Sequence, residues 1–151
     1  MGKVGCHIIK LLTEAGAKCI GVKECDGYIY EPKQIAVEEL ISYKEKHGTI
    51  LEFSPKTSPG SSDIIYGEKA DILVLAATHR SLTCFMAERV KAKIIVETAY
   101  AAVTPSAYLV LLGSGKMVVP DIFAASGASI ASYFEYVKSL QRMPYNIVVS
   151  R

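Results

Sequence analysis

The sequence predicts an α/β fold, doubly wound about a mostly parallel sheet, and three observations predict it. Short apolar runs of strand length alternate with segments of helical period along most of the chain. A glycine-spaced turn, Gly2-Lys3-Val4-Gly5, runs straight into the first helical segment. An acid, Glu24, stands just past the next apolar run. Strands that alternate with helices bury both faces of a parallel sheet, which is why the pattern selects this class.

In chain order, residues 4–15 place Ile8, Leu11, Leu12 and Ala15 on one helical face, and Gly16 stops the helix. KCIGV at 18–22 is a short strand and Asp26-Gly27 a turn. Val37, Leu40 and Ile41 mark a second helix, with Glu38 and Glu39 suited to its positive N-terminal end. Residues 50–53 are a further strand candidate, and SPKTSPGSSD after them is a surface loop. ILVLA at 72–76 is a buried strand, 83–90 a helix and KIIVE at 93–97 a strand. Thr104-Pro105 starts a helix, since Thr caps free N–H groups and Pro tolerates the first turn. That helix ends near Gly113, and residues 117–119 form a strand closed by Pro120. The last helix, 128–141, carries Ile130, Phe134 and Val137 on one stripe, read as core packing, and YNIVV near the end is a candidate strand.

Bulk properties narrow the function. With 151 residues, half of them hydrophobic, the chain is long enough for one domain with a sizeable core. A net charge of +2 and the lack of a basic run with interleaved aromatics argue against nucleic acid. The apolar stretches are too short for a membrane span, and no secretory leader is visible. Cys6, Cys19, Cys25 and Cys84 lack Cys-x-x-Cys spacing and read as small buried apolar side chains of a reduced compartment. His7, His47 and His79 have no ligand spacing, so no metal site is expected. GSGK at 113–116 fails as a phosphate loop: Val110 stands at the first glycine and Met117 at the Ser or Thr. Asp26, Asp71 and Asp121 read as capping or turn residues.

The opening turn carries the chemistry. In a dinucleotide-binding unit, one glycine lets the backbone approach the pyrophosphate and the next lets helix and strand pack closely. The helix start offers unpaired N–H groups to the phosphates. Gly2 and Gly5 fit those two positions, and Glu24 fits the acid that hydrogen-bonds the ribose hydroxyls about 20 residues later. Lys23 beside it leaves NAD and NADP both open, because a cation accepts a 2′-phosphate. The fold is then Rossmann-like, with the first strand of the unit missing from the chain.

Several segments, in order, carry a resemblance to a known family. They are GAKCIGV-E-DG at 16–27, HGTIL at 47–51, ADILVLAA at 70–77 and VKAKIIVE at 90–97. Thr104-Pro105, VVPDI at 118–122 and SYFEYVKSLQ at 132–141 follow. Together they resemble the coenzyme-binding domain of glutamate dehydrogenases, with the first segments nearest the animal mitochondrial type. The resemblance implies NAD or NADP as cofactor, glutamate and 2-oxoglutarate as substrates, a homo-oligomer, and a mitochondrial matrix location. Residues 1–151 would be an NAD(P)-binding domain, incomplete at its N-terminus and without the substrate domain, hence inactive alone.

Carried over by position, Gly2, Val4 and Gly5 match a G-x-G-N-V-G turn, with Lys3 at the Asn. Glu24 falls on the ribose acid, with Cys25 as its neighbour. Ala76 and Ala77 fall on two alanines that line the cofactor, and Ser132 on a serine near the substrate carboxylate. Tyr100 stands where the family has an Asn near the nicotinamide, and ASGA from Ala125 stands where it has N-A-G-G. These departures sit at the chemistry end of the site. They keep a second expectation alive: a non-catalytic Rossmann-like module or pseudoenzyme used for binding or assembly.

Overall fold

Among the described residues, two three-stranded sheets, not one, divide the strands between them. The structure, a computed structural model, describes residues 2–60 and 63–141. Helix α1 (Lys3–Glu14) opens the chain, and Gly16, at φ +90°, turns it away after the last helical residues. Strands β1 (Gly21–Lys23), β2 (Gly27–Tyr30) and, after helix α2 (Val37–His47), β3 (Thr57–Pro59) form an antiparallel sheet. A 3₁₀ turn, Asp63–Gly67, leads to the second sheet. There β4 (Ile72–Leu75), β5 (Ile94–Glu97) and β6 (Met117–Val119) run parallel. Helices α3 (Cys84–Ala87) and α4 (Pro105–Gly113) are the crossovers, and α5 (Asp121–Ala124) and α6 (Ser126–Gln141) follow β6.

The expected single, mostly parallel sheet is therefore corrected: only β4, β5 and β6 are parallel. The reason lies in connection length. Glu24 N–H donates to the Gly27 carbonyl at 2.8 Å, a tight turn that forces β2 back along β1. Parallel neighbours need a crossover of about a dozen residues or more, which this turn cannot supply. Gly27 also ends the turn and begins a strand, so Asp26-Gly27 is not merely a turn. Part of the expected surface loop becomes β3, because Gly27 lets it come close. A Cβ there would meet the Ser58 carbonyl oxygen at 2.6 Å.

Residues 50–53 form no strand. Ile50 is fully buried and Phe53 packs beside it, so their apolar character fills a core instead of pairing. That core joins Val22, Ile29, Ile35, Leu40 and Ile50, with Ile9 of α1 against it. A larger core lies under the parallel sheet, where Leu82, Ile95, Ala107 and Leu111 are fully buried. Thr104 caps α4 by accepting from the Ala107 N–H, and Pro105 takes the first turn, as the sequence predicts.

Two faces differ from expectation. The α6 stripe is not core within this chain: Ile130 and Phe134 are more than half exposed and Val137 is half-buried. No residue of α1 is buried either, although its apolar side chains share one face. None of the four cysteines is in a disulfide; Cys6, Cys19 and Cys84 are half-buried, but Cys25 is exposed in the β1–β2 turn, so the buried reading fails for it. The YNIVV segment lies outside the described residues.

Candidate functional site

Three loops meet at the C-terminal end of the parallel sheet, the end at which open α/β sheets place ligands. The Leu75 carbonyl, at the end of β4, accepts from the Thr98 N–H and hydroxyl just past β5, both at 3.0 Å. Arg80 and Leu82 N–H donate to Ala101 and Ala102 carbonyls, joining the loop after β4 to the loop after β5. Asp121, at the start of α5, accepts from the Ala101 N–H at 2.8 Å and the Ile122 N–H at 2.7 Å. It thus does more than cap a helix. Glu97 is buried and accepts from the Val103 N–H at 2.9 Å, bracing the same loop from beneath.

The first turn of α1 comes to this edge. A Cβ on Gly5 would sit 3.8 Å from the Ala76 side chain, so the helix start lies against the residue that follows β4. No side chain caps Gly2, and the space where its Cβ would stand is open. The first helical amides are thus uncapped, as an anion site requires. Lys3 and Val4 are exposed there, Ala76 is half-buried and Ala77 exposed. Tyr100, on the loop after β5, is 83% exposed. Ala125 is exposed between α5 and α6, and Ser132 is exposed on α6.

Glu24 stands at the end of β1, on the antiparallel sheet. Its carboxylate pairs with the Lys44 ammonium of α2, both side chains being largely buried. Lys23 points the other way, as neighbours on a strand do. Its ammonium bonds Asp63 at 2.8 Å and lies 4.7 Å above the Tyr66 ring. The cation beside the acid is therefore Lys44 rather than Lys23. No spacing rule marks Lys44, which reaches Glu24 only because α2 folds over the β1–β2 turn. Next to this pair, the Thr49 hydroxyl donates to Asp26 and holds its carboxyl below the usual aspartate range.

Comparison with known proteins gives this geometry a lineage. The family model of glutamate/leucine/phenylalanine/valine dehydrogenase matches residues 1–147. The glutamate dehydrogenase of Thermotoga maritima is 41% identical over 141 residues, covering 93% of this chain and 34% of the relative. A mitochondrial glutamate dehydrogenase of Dictyostelium discoideum is 34% identical, covering 95% of this chain and 29% of its own length. The structure of a hetero-hexameric glutamate dehydrogenase from Thermus thermophilus, in its Leu-bound form, superposes with a TM-score of 0.86 at 30% identity. That match covers 97% of this chain and 34% of the other. The chain thus spans about a third of the length of these relatives. None of the three singles out the animal mitochondrial type. The chain belongs to the glutamate/leucine/phenylalanine/valine dehydrogenase family.

Proposed function

We propose that this chain is the dinucleotide-binding part of an NAD(P)-dependent glutamate dehydrogenase. The observation that carries the reading is the uncapped first turn of α1 seated against Ala76 at the end of β4. Amides of the Gly2–Gly5 turn would take the pyrophosphate, as helix starts do for anions. Glu24 would accept from the ribose hydroxyls, with Cys25 beside it. Small Ala76 and Ala77 leave room for the nicotinamide, flanked by Tyr100 and Ala125, and Ser132 would face the substrate carboxylate. When bound, the cofactor supplies a hydride acceptor for the α-carbon of glutamate, the oxidation that gives 2-oxoglutarate and ammonia after hydrolysis.

The sheet pattern supports the same reading. In the doubly wound order 3-2-1-4-5-6, the strand leading into the glycine turn lies between the second and fourth strands. β1 and β4 would take those places: each is the edge strand of its own three-stranded sheet and pairs on one side only among the described residues. The Staphylococcus aureus relative is named as NAD-specific; the family's enzymes use NAD or NADP.

Titrating NADH fluorescence with the purified chain tests the proposal. Saturable quenching or enhancement is expected, without glutamate-dependent reduction of NAD by this chain alone. A flat titration up to millimolar NADH would overturn the binding reading. It would instead favour a non-catalytic assembly module, which the exposure of Ile122 and Phe123 at 82% and 72% independently suits.

A further inference from the structure

We propose that α6 pairs with the α6 of a second copy of this chain, through a stripe of apolar side chains that the fold leaves uncovered. The inference goes beyond the cofactor reading and holds whether or not a dinucleotide binds. At the helical repeat, Ile130, Tyr133, Phe134, Tyr136, Val137 and Leu140 fall on one side of α6. Five of the six are between 53% and 66% exposed, and Val137 is half-buried. Ser132 and Glu135 fall on the other side.

Such a helix does not stand by itself. Helices of about this length are marginal in water, and most of their stability in proteins comes from packing an apolar face. Gly127 and the serines of α6 lower its intrinsic propensity further. Within the chain α6 packs on α5, where the Ser126 hydroxyl donates to the Phe123 carbonyl at 2.8 Å. That bond anchors the first turn and leaves the stripe open.

Area, spacing and charge together select a second copy as the occupant. A large aromatic side chain carries roughly 150–250 Å² of surface, so the five exposed residues, with Ile122 and Phe123 of α5, offer on the order of 800 Å². One partner of a stable dimer contributes about that much. Ile130, Tyr133, Val137 and Leu140 recur at alternating steps of three and four residues. This is the seam by which identical helices pair, the knobs of one entering the holes of the other. Glu135 and Lys138 lie off the stripe and have opposite signs, so like copies meet without repulsion and no charged partner is favoured. The same patch serves both copies, and the pair closes as a two-fold dimer. Ser132, on the far side of the helix, stays open.

Sedimentation equilibrium on the full chain tests the pairing. The wild type is expected to show a monomer–dimer equilibrium, and Phe134→Glu to weaken it by roughly tenfold or more, as loss of an interface aromatic does. Leu109→Glu, at an exposed apolar position on α4, is expected to leave it within about twofold, as surface changes do. Phe134→Lys should be monomeric like Phe134→Glu, and an equal mixture of the two should recover the dimer, which unfolded variants could not do. A wild type that stays monomeric up to millimolar concentration overturns the inference, and the stripe then belongs to a different polypeptide segment. So does a dimer that Leu109→Glu breaks and Phe134→Glu leaves intact, or a mixture of the two Phe134 variants that stays monomeric. NADH titration is independent of all these outcomes, so the cofactor reading stands or falls separately.

Discussion

Gly27 is fixed by distance rather than by backbone freedom. A methyl group there would press on the Ser58 carbonyl oxygen at 2.6 Å and on the Leu51 side chain at 2.8 Å. The backbone oxygen belongs to β3 and cannot yield without unpairing it. Gly27→Ala is therefore expected to destabilise the chain by about 1–3 kcal/mol, the usual cost of overpacking. Urea unfolding followed by circular dichroism checks it. A few residues away, the hydroxyl of Thr49 is the main cause of the lowered Asp26 carboxyl pKa. A carboxyl whose folded pKa lies below its unfolded one adds stability that is present above the unfolded value and lost as pH falls through the folded one. Thr49→Val should thus destabilise at pH 7, and the gap to wild type should shrink as pH falls below the ordinary aspartate range. Unfolding curves recorded from pH 7 downward measure this, and a gap that stays constant would count against the linkage. Asp26 and Gly27 read as ordinary turn residues in the sequence, because neither the approach of Ser58 nor the Asp26–Thr49 contact is local.

Helices α1 and α4 show how similar sequence patterns acquire different weight. Both are short and rich in leucine, yet Leu111 of α4 is fully buried whereas Leu11 of α1 is 61% exposed. Leu111→Ala removes packed volume from the larger core and is expected to cost about 2–5 kcal/mol. Leu11→Ala is expected to cost no more than about 0.5 kcal/mol, as surface changes do. Chemical denaturation of the two variants compares them directly, and equal losses would mean that α1 is covered in solution. The cap and first turn of α4 were legible in Thr104-Pro105, because capping depends on neighbours three residues away. The apolar stripe of α6 was legible as a stripe. Whether it would be buried was not, since periodicity names a face but not what covers it.

At the scale of the whole molecule, two cores sit under two sheets that share no strand. They meet where Lys23 lies over Tyr66 and the Ile65 side chain would stand 3.3 Å from a Cβ on Gly21. Meanwhile Leu109, Ile122, Phe123 and Phe134 all lie more than half exposed on α4, α5 and α6. Soluble monomers rarely leave such large apolar side chains uncovered together. The isolated chain is therefore expected to sediment above its 16.4 kDa monomer mass, increasingly so with concentration. A constant monomer mass over the range used for cofactor titration would refute this.

The sequence by itself determined the alternation of elements, the strands of the parallel sheet, the Gly2–Gly5 turn at a helix start and the acid after the next strand. Each of these rests on interactions between residues a few positions apart: period, caps, turns and the fixed hand of the crossovers. Only the tertiary structure decided that β2 turns back along β1, that Lys23 faces Asp63 and that Lys44 reaches Glu24. Those outcomes depend on which surfaces meet after distant segments close together, and the spacing of residues along a chain carries no record of that.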